Sequence, residues 1–301
     1  KLLLAAAYFW PVVLLARFID RFGKGIRVAA RDALIAEATP ANNRGAVFGF
    51  HRAMDTVGAI GGPLIAVGLI AFFHADYRPI FLISFIPALA GVLILQFFVS
   101  EGKAAPARGK IEFRRDDFGR QYYLFLFVSL IFSLGNSSDA FLILRSKDLG
   151  LPVLVVIFAY IIYNIFYAAF SYPAGLLADK IGFKKVLLGG FFVFTLVYYG
   201  FGAVNNPHAV WLLFAVYGFY IAFTEGVSKA YISNLVPAEK TGTAIGLYYT
   251  VTGAAILFAS LAAGWLWTVF GPRAPFYYGS CMAGIASVLF VIFLIWKEEK
   301  A

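Results

Sequence analysis

Charge and cysteine are both scarce in this sequence. Only 14% of its 301 residues are charged, whereas 61% are hydrophobic and 18% are aromatic. In an ordinary soluble domain about a quarter of the residues are charged. Cys281 is the single cysteine, which excludes an intramolecular disulfide and a cysteine-ligated metal cluster. The composition therefore excludes a soluble globular domain and favours a chain that is solvated by lipid.

The signatures of catalysis and nucleotide binding are also missing. The sequence contains no metal-spaced His/Cys cluster, no G-x-x-x-x-G-K-[ST] phosphate loop and no G-x-S-x-G elbow. We therefore expect no metal, no cofactor and no enzymatic activity. The net charge of +9 does not predict a nucleic-acid partner, because the basic residues lie in short loops between apolar runs, as they do in membrane proteins.

The apolar residues form runs of about 20, each long enough to cross a hydrocarbon core of roughly 30 Å. Polar, Pro- and Gly-containing loops at 76–79, 148–152, 205–208 and 271–273 separate several of them. We predict an all-α, polytopic membrane protein in which residues 1–8 are the tail of a further helix. The predicted full spans, about nine in all, are 9–36, 46–73, 79–99, 121–144, 152–176, 186–204, 209–235, 242–269 and 276–296.

Lys and Arg are unevenly distributed between alternate loops. One set of loops holds only Arg78, Arg145, Lys147 and Arg273, whereas the basic residues of 101–120, 180–185 and 297–301 all fall in the opposite set. Loops rich in Lys and Arg stay in the cytoplasm. This pattern predicts a cytoplasmic C-terminus. We expect the membrane to be the cytoplasmic (inner) membrane of a bacterium.

Residues 101–120 are the only long polar stretch, and they divide three predicted spans from six. An internal repeat supports this division, because Pro40, Gly45 and Gly49 recur as Pro237, Gly242 and Gly246 with one constant spacing. Parallel repeats are typical of transporters. We expect residues 1–100 to be the rest of an N-terminal bundle, 101–120 a cytoplasmic linker and 121–301 a C-terminal six-helix bundle. Three N-terminal helices are then expected to be missing from the chain.

Residues 175–185 read Gly-Leu-Leu-Ala-Asp-Lys-Ile-Gly-Phe-Lys-Lys. They resemble the G-x-L-x-D-x-x-G-x-K/R loop of the major facilitator superfamily (MFS), in its second-half copy. Gly175 and Gly182 are expected to permit a tight turn between helices. Asp179 is expected to cap or pair at a helix end, and Lys184 to anchor the cytoplasmic face.

Residues 58–63 read Gly-Ala-Ile-Gly-Gly-Pro and resemble the G-x-x-x-G-P motif in the fifth helix of the proton-coupled antiporters of this family. Small residues four apart let helices approach closely, and Pro63 bends the span. The motif is consistent with either a conformational role or a packing role for Gly58 and Gly62.

The resemblance covers the whole chain in layout and is specific at these two motifs. It implies two six-helix bundles that transport by alternating access, similar to bacterial drug and metabolite efflux proteins. We expect proton-coupled efflux of a small organic solute, anionic or zwitterionic, by a monomer in the lipid bilayer. The alternatives are an importer or lipid-type translocator of the same fold, and a membrane sensor or scaffold that does not transport.

Ionisable groups at membrane depth are costly and are therefore candidates for function. In the first span Arg17, Asp20 and Arg21 share one face, which is either a lining that attracts the solute or a set of structural ion pairs. In the next span His51 and Asp55 lie on the face of Gly58 and Gly62. Asp55 is either a proton-coupling carboxylate or a partner of a nearby arginine.

Further candidates lie in the C-terminal half. Asn136 and Asp139 are three residues apart within an apolar span, and Glu225 and Lys229 are four residues apart in another. The second spacing suits an ion pair within one helix, but a buried pair also often marks a transport pathway. Tyr163 and Asn164 are candidates for the wall of a solute cavity, although the tyrosine is equally consistent with ordinary aromatic packing.

Overall fold

The computed structural model describes residues 8–73, 77–98 and 118–296, and every regular element in these ranges is helical. Short 3-10 turns, Ala41–Asn43 and Ala238–Lys240, precede α2 and α10, and a π-helix, Val291–Trp296, follows α11. The α-helices are α1 Trp10–Glu37, α2 Arg44–Phe72, α3 Tyr77–Ile83, α4 Phe85–Phe98, α5 Arg120–Gly135, α6 Ala140–Asp148, α7 Val153–Ile181, α8 Phe183–Ala203, α9 Ala209–Leu235, α10 Thr241–Phe270 and α11 Ala274–Phe290.

Seven stretches of the described chain are helical, long and apolar enough to cross a membrane, from Pro79–Phe98 to Ala274–Phe293. A helix suits this environment because all its backbone hydrogen bonds are made within one segment. The predicted all-α, polytopic membrane fold is confirmed. The predicted spans 9–36 and 46–73 correspond to α1 and α2, which are 28 and 29 residues long.

Two predicted spans are not continuous helices. The span 79–99 is divided at Ser84, between α3 and α4. The stretch 121–144 is interrupted at 136–139, where α5 ends and α6 has not begun. Asn136 has φ −90° and ψ 82°, which is not a helical conformation. The apolar composition continues through the break, so hydropathy alone does not reveal it. The break places Asn136 and Asp139 between two helices rather than within one.

Aromatic side chains form much of the buried core among α5, α8, α9 and α11. Phe194 and Tyr198 of α8 stack with ring centroids 4.0 Å apart, and Phe132 of α5 stacks on Phe191 at 4.1 Å. Phe214 and Phe276 are fully buried. Such ring pairs contribute about 0.5–1.5 kcal/mol beyond the area that they bury, so they hold these helices in one arrangement.

Helices α2 and α7 meet at small residues. A β-carbon on Gly45 would lie 2.5 Å from Gly175 O, and one on Gly49 would collide with Ser171 O. On the neighbouring helix α9, a β-carbon on Gly226 would lie 3.1 Å from Phe48 O. The backbones are therefore in direct contact, as small residues allow in membrane helices.

The glycines of the 58–63 motif form no such contact with the described residues. Gly58 and Gly62 are exposed, and a β-carbon on either would meet none of the described heavy atoms within 4 Å. Gly175 lies inside α7, where it allows close packing, and Gly182 alone makes the turn into α8, with φ 98°. A left-handed φ of this kind favours glycine.

Candidate functional site

At one end of the bundle, helices α1 and α9 end and α2 begins. Contacts of α1 and α2 with α7, α9 and α10 hold this end together. We call it the closed end. Asp179, in the last turn of α7, accepts hydrogen bonds from Gly45 N (2.9 Å) and Ala46 N (2.8 Å). These N–H groups lie in the first turn of α2, where helical N–H groups have no intrahelical acceptor and the helix dipole is positive. The prediction that Asp179 caps a helix end is met, at a helix distant in sequence.

Arg44 joins the same end of α2 to α9. Its Nη1 donates to Ser233 O at 2.6 Å and to Asn234 Oδ1 at 2.8 Å. Close by, a β-carbon on Gly242 of α10 would lie 3.4 Å from the Ala33 β-carbon of α1. The contacts at the closed end thus combine hydrogen bonds with close packing of small residues.

A buried ion pair joins α1 to α9 just inside the closed end. Lys229 Nζ lies 2.8 Å from Asp32 Oδ2, and the two side chains are 3% and 0% exposed. Arg31 Nη2 lies 3.2 Å from Asp32 Oδ1. Lys229 Nζ also lies 5.6 Å from the centroid of the Tyr249 ring, a distance typical of cation–π contact.

Deeper in the bundle, Arg52 of α2 contacts three partners. Its Nη2 lies 3.1 Å from Glu225 Oε1, its Nη1 lies 2.9 Å from Asp55 Oδ2, and its Nε donates to Tyr167 Oη. The guanidinium carbon lies 5.5 Å from the centroid of the Tyr167 ring. The flat guanidinium presents several donors in a fixed fork, which suits it to several acceptors at once. The Arg52 side chain is nevertheless 24% exposed.

We name these six side chains the charge network: Arg31, Asp32, Arg52, Asp55, Glu225 and Lys229. At 1.5 Å per helical residue, the network extends from about 8 Å to about 17 Å from the helix ends at the closed end. Every described ion pair of α9 in it leads to α1 or α2. The network therefore joins helices that are far apart in sequence.

The sequence predicts only part of this network. The spacing of Glu225 and Lys229 suggests a pair within α9, but Glu225 pairs with Arg52 and Lys229 pairs with Asp32. The alternative that Asp55 pairs with an arginine is correct. Asp32 is absent from the predicted candidates, although it shares a buried helical stripe with Ala36, four residues later.

Asp55 and His51 lie one turn apart on α2. Asp55 is 51% exposed among the described residues, and its role as a proton site stays a prediction. His51 is half-buried, and its Nδ1 has no hydrogen-bond partner among the described residues.

A polar cavity of about 140 Å³ lies beside Glu225, between α5, α8, α9 and α10. Its wall combines aromatic rings with hydroxyl groups and one carboxamide. Asn136 of this wall donates to Tyr220 Oη at 2.9 Å, and Tyr249 Oη donates to Glu225 Oε1 at 3.4 Å. The lining includes Ser129, Ser133, Asn136, Tyr220, Thr224, Glu225, Ser228, Tyr248, Tyr249 and Thr252. A cavity with this lining provides hydrogen bonds and apolar contact together.

The other candidates from the C-terminal half lie apart from this cavity. Asp139 Oδ1 accepts a hydrogen bond from Tyr217 Oη at 2.8 Å. Tyr163 is buried against Tyr160, Tyr167 and Tyr217, and Asn164 donates to Tyr160 O at 2.8 Å. Asn136 and Glu225 are therefore the two candidates from the C-terminal half that line the cavity.

Some predicted residues lie outside what the structure describes. Arg17, Asp20 and Arg21 fall within α1, and Pro63 within α2, but their side chains are not among the described parts. Lys184 is half-buried in the first turn of α8. No cluster of three His, Cys, Asp or Glu side chains that could hold a metal ion occurs in the described ranges.

Several membrane-spanning helices, a charge network between them and a polar cavity beside it define a membrane transporter. The sequence model of the Major Facilitator Superfamily matches this chain at residues 2–144 and 124–301. The chain belongs to this family, whose members transport solutes rather than catalyse reactions.

Similar proteins include named transporters. An uncharacterized MFS-type transporter of Methanocaldococcus jannaschii is 41% identical over 299 residues, covering 96% of this chain and 74% of that protein. The cis,cis-muconate transport protein of Acinetobacter baylyi is 28% identical, covering 81% of this chain and 63% of that protein. A multi-drug resistance efflux pump of Streptococcus pneumoniae is 31% identical over 134 residues, covering 44% of this chain and 32% of the pump. The chain thus spans 74% of the length of the Methanocaldococcus relative and 63% of the length of the Acinetobacter relative.

The fold is also similar to a solved transporter structure. The crystal structure of the human organic anion transporter MFSD10 superposes with a TM-score of 0.75 and covers 96% of this chain and 73% of that one. The sequence identity is 16%, so this likeness shows the shared fold alone.

Proposed function

We propose that this protein is a proton-coupled secondary transporter that moves a small organic anion or zwitterion across the membrane by alternating access, and that it is not an enzyme. The observation that carries the proposal is the position of Arg52. This cation is partly exposed, is bound by two carboxylates, and reaches Glu225 in the wall of the polar cavity. A solute carboxylate is a suitable competitor for such a guanidinium, because the fork of donors matches its two oxygens.

In this cycle Glu225 and the solute exchange places at Arg52. A proton that binds Glu225 removes its negative charge and weakens its pair with Arg52. The solute carboxylate then takes the vacant donors, while its remaining atoms contact the hydroxyl groups and rings of the cavity. Because proton and solute act on the same cation, the binding of one is linked to the binding of the other.

The charge network supports an alternating cycle as well. We propose that α1–α4 belong to one helical bundle and α5–α11 to a second, and that the closed end opens when the ion pairs between them separate. Asp32, like Glu225, is a carboxylate that protonation would release from its partner. The predicted face of Arg17, Asp20 and Arg21 would attract the solute, and Asp139 is expected to be dispensable for coupling.

The distribution of Lys and Arg supports a cytoplasmic closed end and a cytoplasmic C-terminus in the cytoplasmic membrane. The resemblance to antiporters at 58–63 and the name of the pneumococcal relative favour export, whereas a proton and a solute that bind together at Glu225 and Arg52 favour uptake driven by an inward proton gradient. The name of the Acinetobacter relative supports an organic acid as the solute. The protein is proposed to act as a monomer.

The test is solute-driven proton flux in proteoliposomes that hold the complete protein encoded by the gene. The solutes are cis,cis-muconate, a matched dication and a neutral compound of similar size. We expect flux with the carboxylate, loss of flux in Arg52→Gln, and loss of proton movement in Glu225→Gln. Asp139→Asn is the matched control and should retain flux. Solute exchange without a pH gradient should survive in Glu225→Gln, because this variant mimics the protonated state.

Flux that is driven by the dication but not by the carboxylate would contradict the assignment of Arg52. Proton flux that persists in Glu225→Gln and is lost in Asp32→Asn would move the coupling site to Asp32. Carboxylate movement that is insensitive to pH in the wild type would favour uniport. Solute and protons moving in opposite directions would assign an exporter, and movement in the same direction would assign an importer.

A further inference from the structure

An apolar groove lies on the outer surface of the bundle, away from the charge network and the polar cavity. It has a volume of about 480 Å³ and runs between the first turns of α8 and the last turns of α11. Leu188, Gly189 and Phe192 form one wall, and Val288 and Val291 form the other. Phe192 and Val288 are 58% and 59% exposed. Because these helices cross a bilayer, this surface faces lipid.

The walls offer almost no hydrogen-bonding group to an occupant. The hydroxyl of Ser287, which also borders the groove, already donates to Ala283 O at 2.8 Å. Glycine at position 189 leaves the wall of α8 without a side chain at that level. An occupant of the groove must therefore be hydrocarbon along its length, as a lipid acyl chain is.

The groove ends at a positive charge. Lys185 borders it and is exposed in the first turn of α8. Within residues 176–192 the basic residues are Lys180, Lys184 and Lys185, and the one acidic residue is Asp179. The Asp179 carboxylate is directed at the first turn of α2, from which it accepts two hydrogen bonds.

The start of α8 adds a second feature that suits an anion. Its N-cap residue is Gly182, which has no side chain, and no side-chain cap hydrogen bond is seen there in the described part of the chain. The N–H groups of the first turn of a helix attract anions such as phosphate. Here they lie beside an exposed lysine at the end of an apolar groove.

From this combination we infer that the groove between α8 and α11 binds one anionic phospholipid, with an acyl chain against Gly189, Val288 and Val291 and the headgroup phosphate at Lys185 and the start of α8. The charge complementarity at Lys185 selects an anionic lipid over a zwitterionic one. The inference does not depend on the solute or on proton coupling, because none of these residues touches the cavity or the charge network.

The experiment is native mass spectrometry of the complete protein, purified in detergent and titrated with phosphatidylglycerol or phosphatidylcholine of identical acyl chains. We expect one phosphatidylglycerol to bind more tightly than phosphatidylcholine. Lys185→Gln should weaken binding of the anionic lipid about fivefold, the size expected for one lysine at an anionic membrane surface, and should leave phosphatidylcholine unchanged. Lys180→Gln is the matched control and should bind as the wild type does.

A second pair of variants tests the groove itself. Val288→Trp places an indole in the groove and should reduce phosphatidylglycerol binding, whereas Val269→Trp, at another exposed valine on α10, should not. Thermal unfolding of each variant shows whether it remains folded. Equal affinity of the wild type for the two lipids would overturn the inference, as would equal effects of the two lysine variants. Displacement of the lipid by millimolar glycerol phosphate would assign the site to soluble phosphate instead.

Discussion

Asp32 and Lys229 form the most completely buried ion pair among the described residues. The side chains are 0% and 3% exposed. Water therefore cannot solvate either charge if its partner is removed. Removing one member of such a pair is costly, because the other charge is then buried without compensation. Replacing both members by uncharged residues is much less costly.

We expect Asp32→Asn to lower the free energy of unfolding by about 3–5 kcal/mol, the range for a broken buried pair. The double variant Asp32→Asn, Lys229→Met should recover most of that loss. Thermal unfolding of the purified protein measures both. Asp55→Asn is the matched control, since Asp55 is 51% exposed and should change stability by under about 1 kcal/mol. A double variant no more stable than the single one would show that the pair is not the source of the loss.

At the scale of the element, the contact of α2 with α7 depends on backbone meeting backbone. A β-carbon at Gly45 would meet Gly175 O, and a carbonyl oxygen within a helix cannot turn aside as a flexible side chain can. Gly58 lies thirteen residues further along the same helix. A β-carbon there would meet none of the described heavy atoms within 4 Å. The two glycines therefore provide a matched comparison.

Gly45→Ala should push α2 away from α7 at the closed end, with a cost of about 1–3 kcal/mol, as for overpacking. Double electron–electron resonance between spin labels at Asn42 and Glu239, both exposed, should show a longer or broader distribution of distances than in the wild type. Gly58→Ala should give the wild-type distribution. Identical distributions for the two variants would show that the close contact does not hold the closed end.

The cap made by Asp179 makes a separate prediction for α2. Asp179→Ala removes both acceptors and the negative charge at the N-terminus of the helix, worth about 1–2 kcal/mol. Hydrogen exchange should become faster in peptides that cover residues 41–50. Asp148→Ala, which removes a carboxylate that pairs with Arg145, should leave these peptides unchanged. Unchanged exchange in Asp179→Ala would mean that water or another acceptor replaces the cap.

The sequence predicts the helices better than it predicts their partners. Runs such as 209–235 have the length of a membrane span, so α9 is found at its observed bounds. Asp179 was identifiable because its motif has fixed local spacing. Asp32 was not, because its importance depends on α9 lying beside α1, which is a tertiary fact. The pairing rule for neighbours on one helix selected Glu225 and Lys229, yet the structure gives each a partner from a different helix.

At the scale of the whole molecule, the proposed cycle requires the closed end to separate. The β-carbon of Ala33 and one built on Gly242 are 3.4 Å apart, near the mean of about 3.8 Å across a disulfide. Cysteines at these two positions should therefore form a bond that joins α1 to α10. Cys281, the one cysteine of these 301 residues, is exposed and is best replaced by serine for this experiment.

Ala33→Cys with Gly242→Cys should cross-link on oxidation and lose transport, and a reductant should restore it. The chain is cleaved between α1 and α10, and gel electrophoresis then shows whether the disulfide still joins the two fragments. Solute flux measures the activity. The control pair, Ala33→Cys with Gly253→Cys, should not cross-link, because nothing lies within 4 Å of a β-carbon at Gly253 among the described atoms. Full transport by the cross-linked protein would exclude opening at this end.

The composition of the charge network has a consequence for the effect of membrane voltage. Arg31, Arg52 and Lys229 contribute three positive charges, and Asp32, Asp55 and Glu225 contribute three negative charges. Moving one unit charge across a membrane potential of 100 mV changes its energy by about 2.3 kcal/mol. For a group of charges that sums to zero and moves together, these energy changes cancel. The resting network should therefore be indifferent to the membrane potential, and a single bound proton or solute anion would make it sensitive to voltage.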